Sequence, residues 1–367
     1  MKILFPALIA ASVVIPIGLL ESLLQTIDKT KQIGNEIVYV PIKLHLPLTS
    51  RQTRPTPDYL ARTDSLDKKI TAVIETDYVG SIINPQDKNT ALSKRDKIID
   101  VLFLGGSTTE NMYATPSNRF PAKVSNLINS NGICPNQNCK VLNASASGRR
   151  TTESINILLN NYLENKPKIV VFMHNISDLR FLLLGGKNWS RESHTVRVTR
   201  YPLFQFSSYA RTISYFLPAI YARLTSAHDN LKQLLSSTAR SNFGTYLTEK
   251  HTDNNENYVA NEFSKTLDMF LAICKINGIT PILMTEPSRF SDNTLPLWEQ
   301  SKNLSSLHEM FNNIILSKSK DSLVIDLASM IEQNKSMMYD EFHLTEEGNM
   351  VAAIAISNFI KNINVLP

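Results

Sequence analysis

Five short, nearly unbroken apolar runs constrain the fold of this chain more than any other feature. They are Ile98-Ile99-Asp100-Val101-Leu102-Phe103-Leu104, Val141-Leu142, Ile169-Val170-Val171-Phe172-Met173, Pro281-Ile282-Leu283-Met284 and Leu323-Val324-Ile325-Asp326-Leu327. A strand with one face in water alternates apolar and polar residues, whereas a strand covered on both faces reads as a continuous apolar run. Helical patterns separate the runs, and this alternation predicts a doubly wound α/β sandwich: three layers, α/β/α, around a central parallel sheet. In such a fold ligands bind at the carboxyl ends of the strands.

The chain has 367 residues, the size of one large α/β domain with additions, and its 43% hydrophobic content is enough to bury a substantial core. A net charge of +5 raises the question of nucleic acid, but Lys and Arg are interspersed with Asp and Glu and form no basic stripe, so no nucleic-acid partner is expected. An acidic glycan or an anionic membrane surface suits the mild positive charge. No glycine-rich loop has Walker or dinucleotide spacing, so nucleotide cofactors are not indicated.

Three regions follow from the patterning. Ile3 to Leu20 contains no charged residue, and 18 helical residues span roughly 27 Å, close to the hydrocarbon thickness of a bilayer. Glu21-Ser22-Leu23-Leu24-Gln25 follows in place of a small-residue cleavage site, so residues 1–27 are expected to be an uncleaved single-pass transmembrane anchor rather than a signal peptide. Lys2 on one flank and Lys29 and Lys31 on the other leave the positive-inside rule undecided. The very short tail before the first apolar segment points to an extracytoplasmic domain, periplasmic or at the cell surface. Residues 28–97 are expected to be a stalk and N-terminal extension with β-prone runs at Ile37-Val38-Tyr39-Val40 and Ile70-Thr71-Ala72-Val73-Ile74. Residues 98–367 form the α/β domain, interrupted at about 180–255 by a helical insertion whose aromatic residues, among them Phe204, Tyr209 and Phe216, are read as packing its own small core.

Cys134 and Cys139 flank Pro-Asn-Gln-Asn, a loop with enough slack for a disulfide and no further metal ligands nearby; the sequence leaves their pairing open. Cys274, in an apolar helical run, is expected to be a buried structural thiol.

Two segments carry chemistry. Gly105-Gly106-Ser107-Thr108-Thr109-Glu110 follows the first strand, and the glycines permit a turn that would stand Ser107 at a helix N-terminus, where N–H groups favour developing negative charge. Near the other end, Tyr339-Asp340-Glu341-Phe342-His343 precedes a helix that Thr345 is placed to cap, with Val351, Ile354, Ala355 and Phe359 on one face. Asp340 and His343 are three apart on a loop. That spacing lets a carboxylate accept from imidazole Nδ1–H and leave Nε2 to take a proton from serine, whose hydroxyl is a poor nucleophile without a base.

With Asn143-Ala144-Ser145-Ala146-Ser147-Gly148 and Asn175-Ile176-Ser177-Asp178, these segments resemble, in order, the sequence blocks of the SGNH/GDSL hydrolase superfamily over about residues 98 to 361. Asp77-Tyr78-Val79-Gly80 before the serine strand and Arg119-Phe120-Pro121 after it are similar to membrane-associated bacterial members. The resemblance implies a flavodoxin-like α/β/α fold with Ser107 as nucleophile, His343 as base and Asp340 as its orienter. The Ser107 and Gly148 amides then form the oxyanion hole. Two departures stand out: Gly106 occupies the position of the family's Asp, and Ser177 that of the Asn whose amide donates to the oxyanion. Either Ser177, through its shorter side chain or a water, or Asn175, two positions early and on the same side of an extended strand, supplies the third donor. Loss of such a donor costs about 3 kcal/mol of transition-state stabilisation. His174 beside them is read as structural.

The resemblance implies no metal or organic cofactor and an acyl ester substrate, with O-acetylated cell-envelope carbohydrate suggested by the membrane-associated relatives. Water as acceptor makes such a protein an esterase and a glycan hydroxyl makes it a polysaccharide O-acetyltransferase. Phospholipid hydrolysis is a further option, and Ser177 motivates a rival, a non-catalytic glycan-binding or assembly protein with a degenerate site.

Overall fold

The computed structural model describes residues 44–134, 137–183, 186, 188, 256–296 and 301–366. All of them belong to one compact unit, residues 41–195 with 242–367. The expected anchor at 1–27, the β-prone run at Ile37 to Val40 and the aromatic residues of the insertion lie outside the described residues. Among the described residues no helix is long and apolar enough to cross a membrane.

The core is a parallel sheet of five strands, β3 (Val101–Gly105), β4 (Val141–Asn143), β5 (Ile169–Met173), β6 (Thr280–Met284) and β7 (Leu323–Ile325). Its order is β4-β3-β5-β6-β7, the flavodoxin-like arrangement in which the first strand of the sheet lies between the second and third. All five apolar runs are strands, and every residue of β3 and β5 is buried. Helices cover both faces. On one side α3 (Phe120–Ser130) packs against α9 (Glu346–Ile363); on the other α6 (Glu256–Ile276) packs against α7 (Ser305–Ser317) and α5 (Ile176–Leu183). Aromatic contacts join the layers: Phe103 of β3 meets Phe120 of α3 edge to face at 5.7 Å between centroids, and Phe172 of β5 stacks on Phe270 of α6 at 3.9 Å.

Thr345 caps α9 as expected, accepting from Gly348 N at 3.2 Å. The buried face differs from the expected one. It is built from Gly348, Asn349, Ala352, Ala353, Ile356 and Ile360, while Ile354 is 47% exposed and Val351, Ala355 and Phe359 are only partly covered. Close approach requires glycine at its start: a Cβ at position 348 would collide with the Met337 carbonyl.

Residues 44–97 are folded against this domain. β1 (Ser50–Thr53) and β2 (Ala72–Glu75) form an antiparallel pair, and the short helix α1 (Pro57–Leu60) between them has Thr56 as its cap and Pro57 in its first turn. Asp77 explains the Asp-Tyr-Val-Gly segment. Its carboxylate accepts from Val79 N, Ser81 N and Leu92 N at 2.8 to 3.0 Å, closing a turn that lets Ile82 donate to Asn143 O at 2.7 Å and cover the edge of β4. Cys134 and Cys139 are joined by a disulfide with Cα atoms 5.8 Å apart, just before β4, and Cys274 is fully buried.

Candidate active site

Three strand ends converge where the strand order reverses. Ser107 follows β3, Gly148 follows β4 and Ser177 follows β5, and with His343 they line one cavity of about 310 Å³. Ser107 opens the short helix α2 (Ser107–Glu110), so its N–H is among those a helix leaves without an intrahelical partner. The turn needs glycine at 105, where a Cβ would collide with the Thr109 hydroxyl and lie 2.9 Å from Met173 O.

Two sets of hydrogen bonds fix α2. Thr108 Oγ1 donates to Glu286 Oε1 at 2.7 Å, and Glu286 Oε2 accepts from Ile176 N at 2.8 Å, so one buried carboxylate ties the start of α2 to the start of α5. At the other end, Asn111 donates to Leu344 O at 3.2 Å and to Asn349 Oδ1 at 2.8 Å, joining the helix that carries Ser107 to the segment just after His343.

Asp340 and His343 meet as their spacing predicts. His343 Nδ1 lies 2.6 Å from Asp340 Oδ2, and Asp340 Oδ1 accepts from Phe342 N at 3.0 Å and His343 N at 2.8 Å. Burial alone would push the Asp340 carboxyl up, but the His343 imidazole and these donors outweigh it and hold the group below the usual carboxylate range. Burial would likewise push His343 down, and the Asp340 carboxylate reverses the sign, holding the imidazole above its ordinary value. With Nδ1 committed to Asp340, Nε2 is the remaining ring nitrogen of His343, in the cavity that Ser107 also lines.

The oxyanion side distinguishes the two candidate donors. Asn175 is buried away from the cavity: its Nδ2 donates to His308 O and Asn312 Oδ1, both at 2.9 Å. The same-side expectation for Asn175 and Ser177 fails because β5 ends at Met173 and α5 begins at Ile176, so the two residues do not share one strand face. Ser177 lines the cavity, with its Oγ 3.4 Å from where a Cβ on Gly106 would lie. The two departures from the family pattern, Gly106 and Ser177, therefore face each other. Gly148 lines the cavity with φ of +68°, and the adjacent Ser147 hydroxyl is engaged by the buried Glu110 carboxylate, which also pairs with His45 at 3.0 Å.

His174 is structural. It is buried, bonds Ser154 Oγ at 2.8 Å and is pushed down to about 3, by burial first and by Arg149 second. The structure adds residues that the sequence did not single out. Tyr59 of α1 donates its hydroxyl to Asp340 Oδ2 at 3.0 Å and lies 3.3 Å from His343 Nδ1. Arg62 and Arg180 line the same cavity. Among the described residues no group of three or more His, Cys, Asp or Glu is arranged to hold a metal ion.

The sequence matches no protein-family model and no curated protein. In structure the chain is similar to an acetyl xylan esterase from Geobacillus stearothermophilus at a TM-score of 0.40 and 17% identity, covering 72% of this chain and 96% of that one. It is also similar to a GDSL-like lipase from Bacteroides thetaiotaomicron at 0.39 and 13%, covering 75% and 95%. The likeness is to hydrolases of the GDSL and acetyl xylan esterase kinds. A third neighbour, an alpha/beta hydrolase from the metagenome of Lake Arreo, Spain, has a TM-score of 0.41 at 13% identity and covers 71% of this chain and 94% of that one.

Proposed function

We propose that the protein is a serine esterase that removes acyl groups, O-acetyl in particular, from cell-envelope carbohydrate. The reaction runs through Ser107, His343 and Asp340, in a domain held outside the cytoplasm by an N-terminal membrane anchor. The observation that carries this reading is the His343 Nδ1 to Asp340 Oδ2 hydrogen bond of 2.6 Å, made in a loop that lines one cavity with Ser107. Aromatic side chains at the same cavity, Tyr59 and Tyr113 with centroids 5.0 Å apart, offer a surface on which a sugar ring can stack.

In this mechanism His343 Nε2 takes the Ser107 proton as Oγ attacks the ester carbonyl. Ser107 N–H and Gly148 N–H, with the Ser177 hydroxyl, donate to the oxyanion. Collapse expels the sugar alkoxide, which takes the proton back from His343, and leaves an acyl-Ser107 ester. Water then attacks that ester while giving its proton to His343, and the acid departs as Ser107 is restored. Asp340 stays ionised throughout and stabilises the imidazolium.

The test is fluorophosphonate labelling of the full-length protein in detergent, read by intact mass, for wild type and Ser107→Ala. One adduct on wild type and none on the variant is the expected result. A folded wild type that takes no adduct would overturn the esterase reading and favour a glycan-binding protein.

A further inference from the structure

In a parallel sheet every strand starts at the same end, so residues scattered along the sequence meet there. Lys94, Arg95 and Lys97 precede β3, Lys166 precedes β5, Lys275 precedes β6 and Lys320 precedes β7. All are exposed, and among the described residues none has an ion-pair partner. The neighbouring acids are mostly neutralised: Asp96 pairs with Lys140 at 3.4 Å, Asp100 with Lys168 at 2.7 Å and Asp268 with Lys318 at 2.6 Å. Glu164 and Asp321 are the unpaired, exposed acids that flank the strand starts among the described residues. Backbone bonds hold the cationic segments side by side. Lys168 N donates to Ile99 O at 2.9 Å and Thr280 N donates to Lys168 O at 2.8 Å, which sets the starts of β3, β5 and β6 about 5 Å apart in turn.

Apolar side chains stand among these cations. Ile98 is 49% and Ile276 83% exposed. Near the starts of β3 and β4 the face opens into a cleft of about 780 Å³ whose lining includes Lys88, Arg95, Lys97 and Ile98. Charge alone would suit any polyanion, whereas isoleucines set between cations suit a surface with an apolar layer beneath an anionic one. We infer that this end of the sheet docks on the anionic surface of a lipid bilayer. The cations meet headgroup phosphates, and Ile98 and Ile276 enter the layer beneath. Ser107 and His343 lie at the carboxyl end, separated from this face by the roughly 17 Å length of a five-residue strand. Docking therefore turns their cavity away from the bilayer, toward polymer rather than lipid. It rests on the proposed anchor, which holds the domain beside a bilayer, and not on the reaction at Ser107.

The experiment places full-length protein in nanodiscs of phosphatidylcholine, alone or mixed with phosphatidylglycerol, with nitroxide on the headgroups. A fluorophore is attached at Ser319→Cys, before β7, or at Met330→Cys, half exposed beyond the other end of that strand. Cys134 and Cys139 are bonded and Cys274 is buried, so the introduced thiol takes the label. Quenching at 319 should exceed that at 330 in anionic discs, fall in neutral ones and fade near about 1 M salt, where the Debye length is about 3 Å. Arg95→Gln combined with Lys97→Gln, both at exposed positions, should lower the ratio of docked to undocked protein roughly thirtyfold, about fivefold for each cation. Equal quenching at the two positions, or quenching at 319 that responds neither to phosphatidylglycerol nor to the double substitution, would overturn the inference. Loss of quenching to polygalacturonate at a charge matching the lipid's would overturn the membrane assignment and give the face to an acidic glycan. Flotation with neutral vesicles tests the anchor separately. Protein that floats with them but never docks refutes this inference alone, whereas protein that docks and floats only when phosphatidylglycerol is present refutes only the anchor.

Discussion

The hydroxyl of Tyr59 donates to Asp340 Oδ2 at 3.0 Å, across 281 residues of sequence, and shares that oxygen with His343 Nδ1. Burial and the adjacent Asp340 charge raise the phenol's pKa far above its ordinary value, so it remains a donor at every working pH. Tyr59→Phe removes a hydrogen bond to a charged group, worth about 1.5–3 kcal/mol. The Asp340 carboxylate, no longer shared, then attracts the imidazolium more strongly. The expected outcome is a fall of roughly tenfold in kcat with KM little changed, and an acid limb displaced to higher pH. A variant with unaltered kcat and pH profile would reduce Tyr59 to a packing role.

The raised pKa of His343 sets the pH dependence. In the proposed mechanism His343 works as neutral imidazole, so activity is expected to fall as pH drops through a value above the ordinary histidine one, and the midpoint of the acid limb of kcat/KM should lie there. Asp340→Asn leaves burial unopposed, so the limb should move down while kcat falls roughly 10³–10⁴-fold, the scale seen when a serine-protease triad loses its carboxylate. Stability runs the other way. A histidine whose folded pKa is raised contributes its full stabilisation below its unfolded value and loses it as pH rises through the folded one. Urea unfolding at about pH 6 and pH 9 would show the His343 contribution at the lower pH only, and its absence in His343→Ala. An acid limb below the ordinary histidine value would contradict the pairing.

Ser177 and Asn175 separate by phenotype. Asn175→Ala removes the two hydrogen bonds that its amide donates, to His308 O and to Asn312 Oδ1, while Asn312 keeps its bonds to the Glu286 backbone, at a cost of about 1–3 kcal/mol of stability. The folded fraction should keep its kcat. Ser177→Asn restores an amide at the cavity, facing the open side of Gly106, and is expected to raise kcat by roughly tenfold, part of what one oxyanion donor supplies. Should Asn175→Ala lower kcat a hundredfold while remaining folded, the assignment of donors would be reversed.

The legibility of this molecule follows from the range of its interactions. All five core strands were readable because burial on both faces writes a contiguous apolar run, and Ile169–Met173 matches its strand end to end. Asp340 and His343 were readable because their contact is local. Tyr59, by contrast, stands in a Pro- and Thr-rich stretch expected to be stalk, and nothing local marks a phenol whose partner is 281 residues away. Glu286 was hidden for the same reason, since Thr108 and Ile176, which donate to its carboxylate, belong to other strand ends. The buried face of α9 is not legible from periodicity, which weighs side-chain size, because Gly348 and two alanines, Ala352 and Ala353, lie on it.

The extension also clamps the loop that carries Asp340 and His343. Asp64, just beyond α1, accepts from the fully buried Arg289 at 3.0 and 2.9 Å through its two oxygens. Arg289 in turn donates to Met338 O at 2.6 Å and, through its backbone, to Glu341 O at 2.7 Å. Asp64 N reaches Tyr339 O at 3.2 Å, so the two residues before Asp340 and the one after it are all held from this side. Asp292 also pairs with Arg289, so Asp64→Ala leaves the guanidinium with one carboxylate and should cost somewhat less than the 3–5 kcal/mol, roughly, of a fully broken buried pair. If the clamp transmits order to Asp340, fluorophosphonate labelling of Ser107 should slow in Asp64→Ala. Tyr59→Phe should then slow it further by less than it does in wild type, because both act through the docked extension. Fully additive effects in that double-mutant cycle would show that Asp64 serves stability alone and that Tyr59 reaches Asp340 without it.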